Sequence, residues 1–339
     1  MANVTKTYNI LIRAAILAGA YGYLGWKLFL KPGPALSAHQ VYQLFATPWL
    51  LPGLFIVLAL MLVNWGIEIF KWKLLIGKIQ KIGFVTSIVA VLTGVTVSVF
   101  TPNRMGEYVG RVFILRSKYP VKGVLVTLLG SLSQIVVYFV CGVAGLVIMF
   151  FMFFLPAYPE YVFLKWVVTA GGALAIAAAL AGFLNLSLLS RLLRRLLPRR
   201  WMRARGYVKV FRMYPPAFLL GILTLSLLRY AVFTFQYIYL LWLFNLEISA
   251  GEALLATSVI FFLLVIIPSV ALSELGVRNS VALTILGIIL DGTLQPEPVM
   301  NLAIVSTATT LWVINVGLPA LAGSVFVYRL KFFQRRNGN

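Results

Sequence analysis

Arg104, Glu107 and Arg111 stand three and then four residues apart in VFTPNRMGEYVGRVFILR, residues 99–116, within an otherwise apolar chain. On a helix that spacing puts all three charges on one face, where side chains meet. A second stretch, IPSVALSELGVRNS at 267–280, repeats the core of the pattern: Glu274 precedes Arg278 by four residues, as Glu107 precedes Arg111. Glu before Arg is the favourable order for a helical pair. Both stretches open like helix N-termini, with Thr101 as a cap and Pro102 at the first helical position in one, and Ser273 capping Glu274 in the other. The chemistry these residues offer is anion binding. A guanidinium presents a fork of donors that matches phosphate, and a helix N-terminus adds backbone donors and the positive end of its dipole. Arg104 has no counterpart in the second stretch and gives the first an excess of positive charge, so it is the leading candidate, with Thr101 and Asn103 beside it. Arg229, midway along another apolar run, is a further candidate, with Glu107 or Glu274 as its partner. Glu68, near the end of a run, is expected to reach out to the membrane surface. The competing structural role for the two Glu–Arg pairs is mutual neutralisation that lets the helices pack.

Composition sets the medium. Of 339 residues, 61% are hydrophobic and 11% charged, far from soluble composition, so an all-α polytopic membrane protein is expected. A single Cys, Cys141, allows no internal disulfide. A single His, His39, excludes a histidine-based metal cluster and a Ser-His-Asp triad. No metal or cofactor is expected. The formal charge of +21 is not read as nucleic-acid binding, because the basic residues flank apolar runs and are better explained by an excess of Lys and Arg on the cytoplasmic side. The first run ends in Lys27, Lys31 and Pro32 without a small-residue cleavage pattern, so no cleaved signal peptide is expected.

A span takes about 20 apolar residues. Runs at 10–29, 49–70, 124–151, 163–189, 215–244 and 299–328 meet that length. Lys71, Lys73, Lys78 and Lys81 read as a cytoplasmic loop after the second run. Residues 84–116 read as a hairpin that enters from the cytoplasm and returns, turning near Thr101 to Met105, and 253–290 as a hairpin entering from outside between acidic loops. The basic segment 189–214 interleaves Leu192, Leu193, Leu196 and Leu197 with arginines, so 191–212 is a candidate to lie on the anionic inner leaflet, with a plain positive loop as the alternative.

Each half thus reads span, span, hairpin, span. Residues 1–160 begin inside and 161–339 begin outside, which makes an inverted-topology repeat with both termini in the cytoplasm of a cell inner membrane. In transporters built this way, broken helices from the two halves point their N-termini at an anionic group near the midplane. The expectation is a phosphate held between two hairpin tips.

TPNRMGEYVGR followed by basic residues, and later ELGVR after a Pro-containing turn, resemble the two signature stretches of the lysylphosphatidylglycerol synthase transmembrane (flippase-like) family over nearly the whole chain. The resemblance carries over Thr101, Pro102, Arg104, Gly106, Glu107 and Arg111 from the first motif, and Gly276 and Arg278 from the second. Where the family usually has Pro-Gly-Gly-Leu-Gly, this chain has Leu272, Ser273, Glu274, Leu275 and Gly276. The resemblance implies a flippase-like membrane domain that moves a phosphate-bearing lipid between leaflets. That membrane part occurs alone or fused to an aminoacyl-transferase domain, and no such domain is expected here. Catalysis would then fall to a partner enzyme that makes the lipid. The alternative function is a membrane-embedded enzyme or enzyme subunit acting on a lipid or polyprenyl-phosphate carrier.

Overall fold

The computed structural model describes residues 48–99, 101, 104–115, 120–186, 190–191, 207, 209–268, 271–291 and 293–327. The first run at 10–29, the site candidates Pro102 and Asn103, and most of the leaflet segment lie outside what is described; Ser273 is not an N-cap, because the helix that carries it already runs from Ala271. The described residues form helices and no strand, and the protein is an all-α polytopic membrane protein.

The helices are α1 (Leu50–Gly77), α2 (Phe84–Val99), α3 (Gly106–Ile114), α4 (Pro120–Met149), α5 (Leu164–Leu184), α6 (Pro216–Leu243), α7 (Ala250–Ile266), α8 (Ala271–Ile289), α9 (Glu297–Trp312) and α10 (Leu318–Val327). A π-helical stretch, Phe150–Phe154, prolongs α4 to Ala157, and another, Val313–Gly317, joins α9 to α10. Five stretches are long and apolar enough to cross a bilayer: Leu50–Gly77, Pro120–Ala157, Leu164–Leu184, Pro216–Leu243 and Glu297–Phe326. In α5 only Phe183 is buried, while Val167 and Leu174 are mostly exposed, so this helix offers apolar surface all round, as a lipid-facing span does.

Helices α2 and α3 are shorter. At 16 and 9 residues they reach about 24 and 14 Å at 1.5 Å per residue, less than the roughly 30 Å of hydrocarbon. A long span, a pair of helices outside the five spans, and a long span follow in that order twice, around α2–α3 (16 and 9 residues) and around α7–α8 (17 and 19 residues). The apolar run at 49–70 understates α1, which continues to Gly77. Lys71 is therefore buried within a helix and not in a cytoplasmic loop. Three apolar residues explain the extension: Trp72, Leu75 and Ile76 are almost fully buried, and their packing outweighs the two lysines among them.

The chain folds into two compact units, each drawn from both halves of the sequence. The first takes its described residues from Met1–Val63, Tyr138–Ile176 and Ala231–Asn315, the second from Asn64–Val137, Ala177–Tyr230 and Val316–Asn339. The repeat division at 160 follows chain order, whereas these units follow contact in space.

In the first unit Ser249 and Glu252 form a capping box at the start of α7. Gly142 and Gly145 of α4 leave room for Phe262 and Ser258 of α7. Helices α8 and α9 are linked by Asn279 Nδ2 donating to Thr309 Oγ1 at 3.2 Å. In the second unit α2 packs against both α3 and α10. A Cβ on Gly110 would lie 3.0 Å from the Gly94 Cα, and one on Gly323 would lie 2.2 Å from the Leu92 carbonyl oxygen. These backbones approach as closely as small-residue membrane interfaces allow. Thr96 Oγ1 reinforces the second contact by donating to the Ala320 carbonyl at 2.7 Å. Tyr214, just outside the α6 span, donates its hydroxyl to the Leu75 carbonyl at 2.9 Å and ties the 3₁₀ turn Lys209–Met213 to the end of α1.

Gly323→Ala is expected to destabilise the protein by about 1–3 kcal/mol through overpacking. Gly171→Ala, which meets nothing within 4 Å, should be neutral or stabilising by up to about 1 kcal/mol. Thermal unfolding in detergent measures both. Burial pushes the Tyr214 phenol above its ordinary value. The folded state keeps that proton where the unfolded chain releases it, so its contribution is complete below about pH 10 and is lost as pH rises further. Tyr214→Phe should flatten the alkaline fall in stability, and a pH series of unfolding midpoints tests this.

Candidate functional site

One face of α1 carries Asn64, Glu68, Lys71 and Trp72, spaced so that they share a side of the helix, and all four are buried. Glu68 is the centre of a charge cluster in the second unit. Its Oε1 accepts from Arg111 Nη1 at 2.9 Å, and its Oε2 lies 3.0 Å from Lys71 Nζ and 3.1 Å from Arg229 Nη1. Arg111 Nη2 is held by Glu107 Oε1, so both ends of this guanidinium face a carboxylate. Arg229 Nε donates to Asn64 Oδ1 at 2.9 Å. Lys71 Nζ also donates to the Gly130 carbonyl and to Ser226 Oγ, each at 3.3 Å, and Ser226 is hydrogen-bonded to Ser133 at 2.8 Å.

The scaffold explains how so much charge fits among apolar helices. Arg111 is buried beneath α2 because Gly94 has no side chain, and a Cβ there would come within 2.6 Å of the Arg111 Cγ. Trp72 and Trp65 lie 6.0 and 5.4 Å from the Arg111 and Arg229 guanidinium carbons, the cation–π range. The Trp72 indole is fixed in turn by donating to Thr127 Oγ1 at 3.0 Å. Three cations thus converge on two carboxylates.

The sequence expectations are met in part. Glu107 pairs with Arg111, and Glu274 pairs with Arg278 at 3.2 Å, as the four-residue spacing implies. Arg229 pairs with neither Glu107 nor Glu274; its carboxylate is Glu68. Glu68 does not reach to the membrane surface, since at 7% side-chain exposure it is enclosed by the cations it binds. Thr101 is not in the N-cap position, because α3 begins at Gly106, yet its Oγ1 still accepts from the Gly106 N–H at 2.7 Å. Arg104 precedes the helix in a left-handed conformation, φ 54°, so it does not extend the helical face of Glu107 and Arg111. In the first unit Arg278 is largely buried, and its Nε hydrogen meets no acceptor among the described residues.

Sequence reasoning overlooked Glu68 and Lys71 as members of the site. A signal was present: Asn64, Glu68 and Lys71 recur at four and three residues, the same spacing that drew attention to Arg104, Glu107 and Arg111. Position near the end of an apolar run masked it.

Glu68→Ala strips the shared counter-charge from three cations and is expected to cost about 3–5 kcal/mol, the loss typical of breaking a buried pair from one side. Glu107→Ala touches one cation and should cost less. Comparing unfolding midpoints of the two variants tests the order; equal losses would show that Glu68 is not the hub. No family model matches this chain, and neither does a curated protein or a solved structure.

Proposed function

We propose that this chain is an integral membrane translocase of the flippase-like kind for a phosphate-bearing lipid, with the headgroup held at the Arg111 cluster while the tails stay in the bilayer. The observation that carries this reading is an intramembrane cluster with one cation in excess, built on a hairpin too short to cross. Ionisable groups at such depth mark substrate paths, and paired short helices within a repeated arrangement are a transporter device. The order of the long and short helices and the motif residues Thr101, Arg104, Gly106, Glu107 and Arg111 support the same reading.

In this mechanism one of the two carboxylates occupies the position that a phosphate would take. Glu107 is the exchangeable one, since it is 20% exposed against 7% for Glu68 and lies in the first turn of α3. An arriving phosphate replaces Glu107 on Arg111 Nη2 and draws on Arg104 and Thr101, with Asn103 a further candidate from the sequence alone. Glu68 keeps Arg111, Lys71 and Arg229 in place meanwhile. Arg278 with Glu274 offers the same exchange in the first unit.

The cytoplasmic membrane, with both termini on its cytoplasmic face, is the location that the distribution of Lys and Arg supports. The partner that this reading implies is an enzyme that makes the lipid. The competing reading, an enzyme or subunit acting on a lipid or polyprenyl-phosphate carrier, requires a carboxylate free to give and take protons. Glu68 and Glu107 are both engaged by guanidinium groups, which favours translocation.

Purified protein in vesicles is expected to move labelled phosphatidylglycerol between leaflets. Arg104→Ala and Arg111→Gln, checked for intact folding by elution and unfolding midpoint, should each be slower by about tenfold or more, the loss for about 1.4 kcal/mol of binding to the transition state. Wild-type rates in both variants would remove the phosphate site, and a new covalent lipid product would favour the enzyme reading.

A further inference from the structure

The cluster around Glu68 does not balance. Arg111, Arg229 and Lys71 face Glu68 and Glu107, leaving one positive charge over. No segment outside the described residues can supply the missing carboxylate side chain, because all eight Asp and Glu residues of the chain lie among the described ones. Of the other six, Glu160, Glu247 and Asp291 are exposed, Glu252 is spent in the α7 capping box, Glu297 starts α9, and Glu274 is with Arg278 in the first unit. An uncompensated charge at this depth is costly. Guanidinium groups keep their protons, so the only cation of the three that can shed its charge is Lys71.

The surroundings of Lys71 suit both charge states. As an ammonium it has three hydrogens for three acceptors: Glu68 Oε2 at 3.0 Å, the Gly130 carbonyl at 3.3 Å and Ser226 Oγ at 3.3 Å. As an amine it keeps two donors for Glu68 and Gly130, and its lone pair can accept from the Ser226 hydroxyl once Ser133 Oγ, which donates to the Gly130 carbonyl at 2.6 Å, turns to donate to Ser226 instead. Either Ser226 or Ser133 can be the donor in the hydrogen bond between them, so that hydroxyl is able to turn. The charged groups facing Lys71 are Glu68 on its own helix, Arg111 with Glu107 behind it on α3, and Arg229 on α6.

We propose that Lys71 is a proton site coupled to anion binding: it is an amine while Glu68 and Glu107 balance the two arginines, and it takes up a proton when a phosphate enters the cluster. The proton comes from water and adds to the Nζ lone pair, while the phosphate brings the compensating negative charge. The loaded cluster is then neutral, as the closed one was, because Glu107 gives up Arg111 Nη2 but stays in the first turn of the same helix, and its charge still counts. This rests on the translocase reading for the identity of the anion, and it gives transport a dependence on proton supply. Coupling is reciprocal, so proton and anion each raise the affinity for the other.

Two measurements on the full chain separate this proposal from the reading beneath it. Without lipid, Lys71→Met leaves two arginines against two carboxylates, so its Tm should equal or exceed that of wild type. Lys71→Arg fixes the excess charge and should lower it. A lowered Tm for Lys71→Met with an unchanged Lys71→Arg would overturn the proton site whatever the substrate. With short-chain phosphatidylglycerol added to weakly buffered micelles containing a pH dye, wild type should take up about one proton per lipid bound, and Lys71→Met none. Equal uptake by the two would also overturn the proposal. The expected Tm order together with no lipid binding by wild type would keep the proton site and sink the phosphatidylglycerol reading.

Discussion

A single buried carboxylate, Glu68, holds three cations inside an apolar protein, and much of the second unit is arranged so that it can. The three come from helices far apart in sequence, α1, α3 and α6, so the carboxylate also cross-links the unit. Attraction between charges is strong at this depth, but removing them from water costs as much or more, and an apolar replacement of the whole set is often no less stable. Stability alone therefore does not account for five charged side chains in one place. That surplus of polar design over structural need favours a site that handles charge.

The close helix approaches serve this arrangement. Gly94 and Gly110 let α2 settle onto α3, and Gly94 is also the space into which the Arg111 side chain fits. A Cβ at position 94 would strike both the arginine and the Glu107 carbonyl, at 2.6 and 3.0 Å. The same absence of side chains at Gly323 lets α10 cover the other side of α2. Small residues here are therefore part of how the charge is enclosed.

Much of this was legible in the chain, but unevenly. Composition alone settles the helical membrane class, and the Glu–Arg spacing on α3 and α8 predicts two pairs that form. The partner of Arg229 was not legible, because a contact between residues 229 and 68 depends on how α6 lies against α1, and no local period encodes that. Lys71 misled for a different reason. A lysine after an apolar run ordinarily marks the membrane surface, but Trp72, Leu75 and Ile76 carry the buried face onward past it. Arg104 shows the limit of helical spacing as a guide: its backbone is left-handed, and the helix starts one turn later than the sequence suggests, at Gly106.

The short hairpin and the buried charges are two sides of one constraint. A helix pair that crossed fully would place its turn and its N-terminal donors in the aqueous boundary, where water competes with any anion. Gly106 at the start of α3 is buried, with Thr101 satisfying its amide and Glu107 lying in the first turn next to Arg111. Non-helical backbone is tolerable at such a place only when protein or a wet cavity surrounds it. Burial of Glu68 and Arg111 strengthens the charge interaction between them, because the local dielectric is low. A site of this kind can exchange one anion for another at modest net cost, because the guanidinium keeps a negative partner throughout.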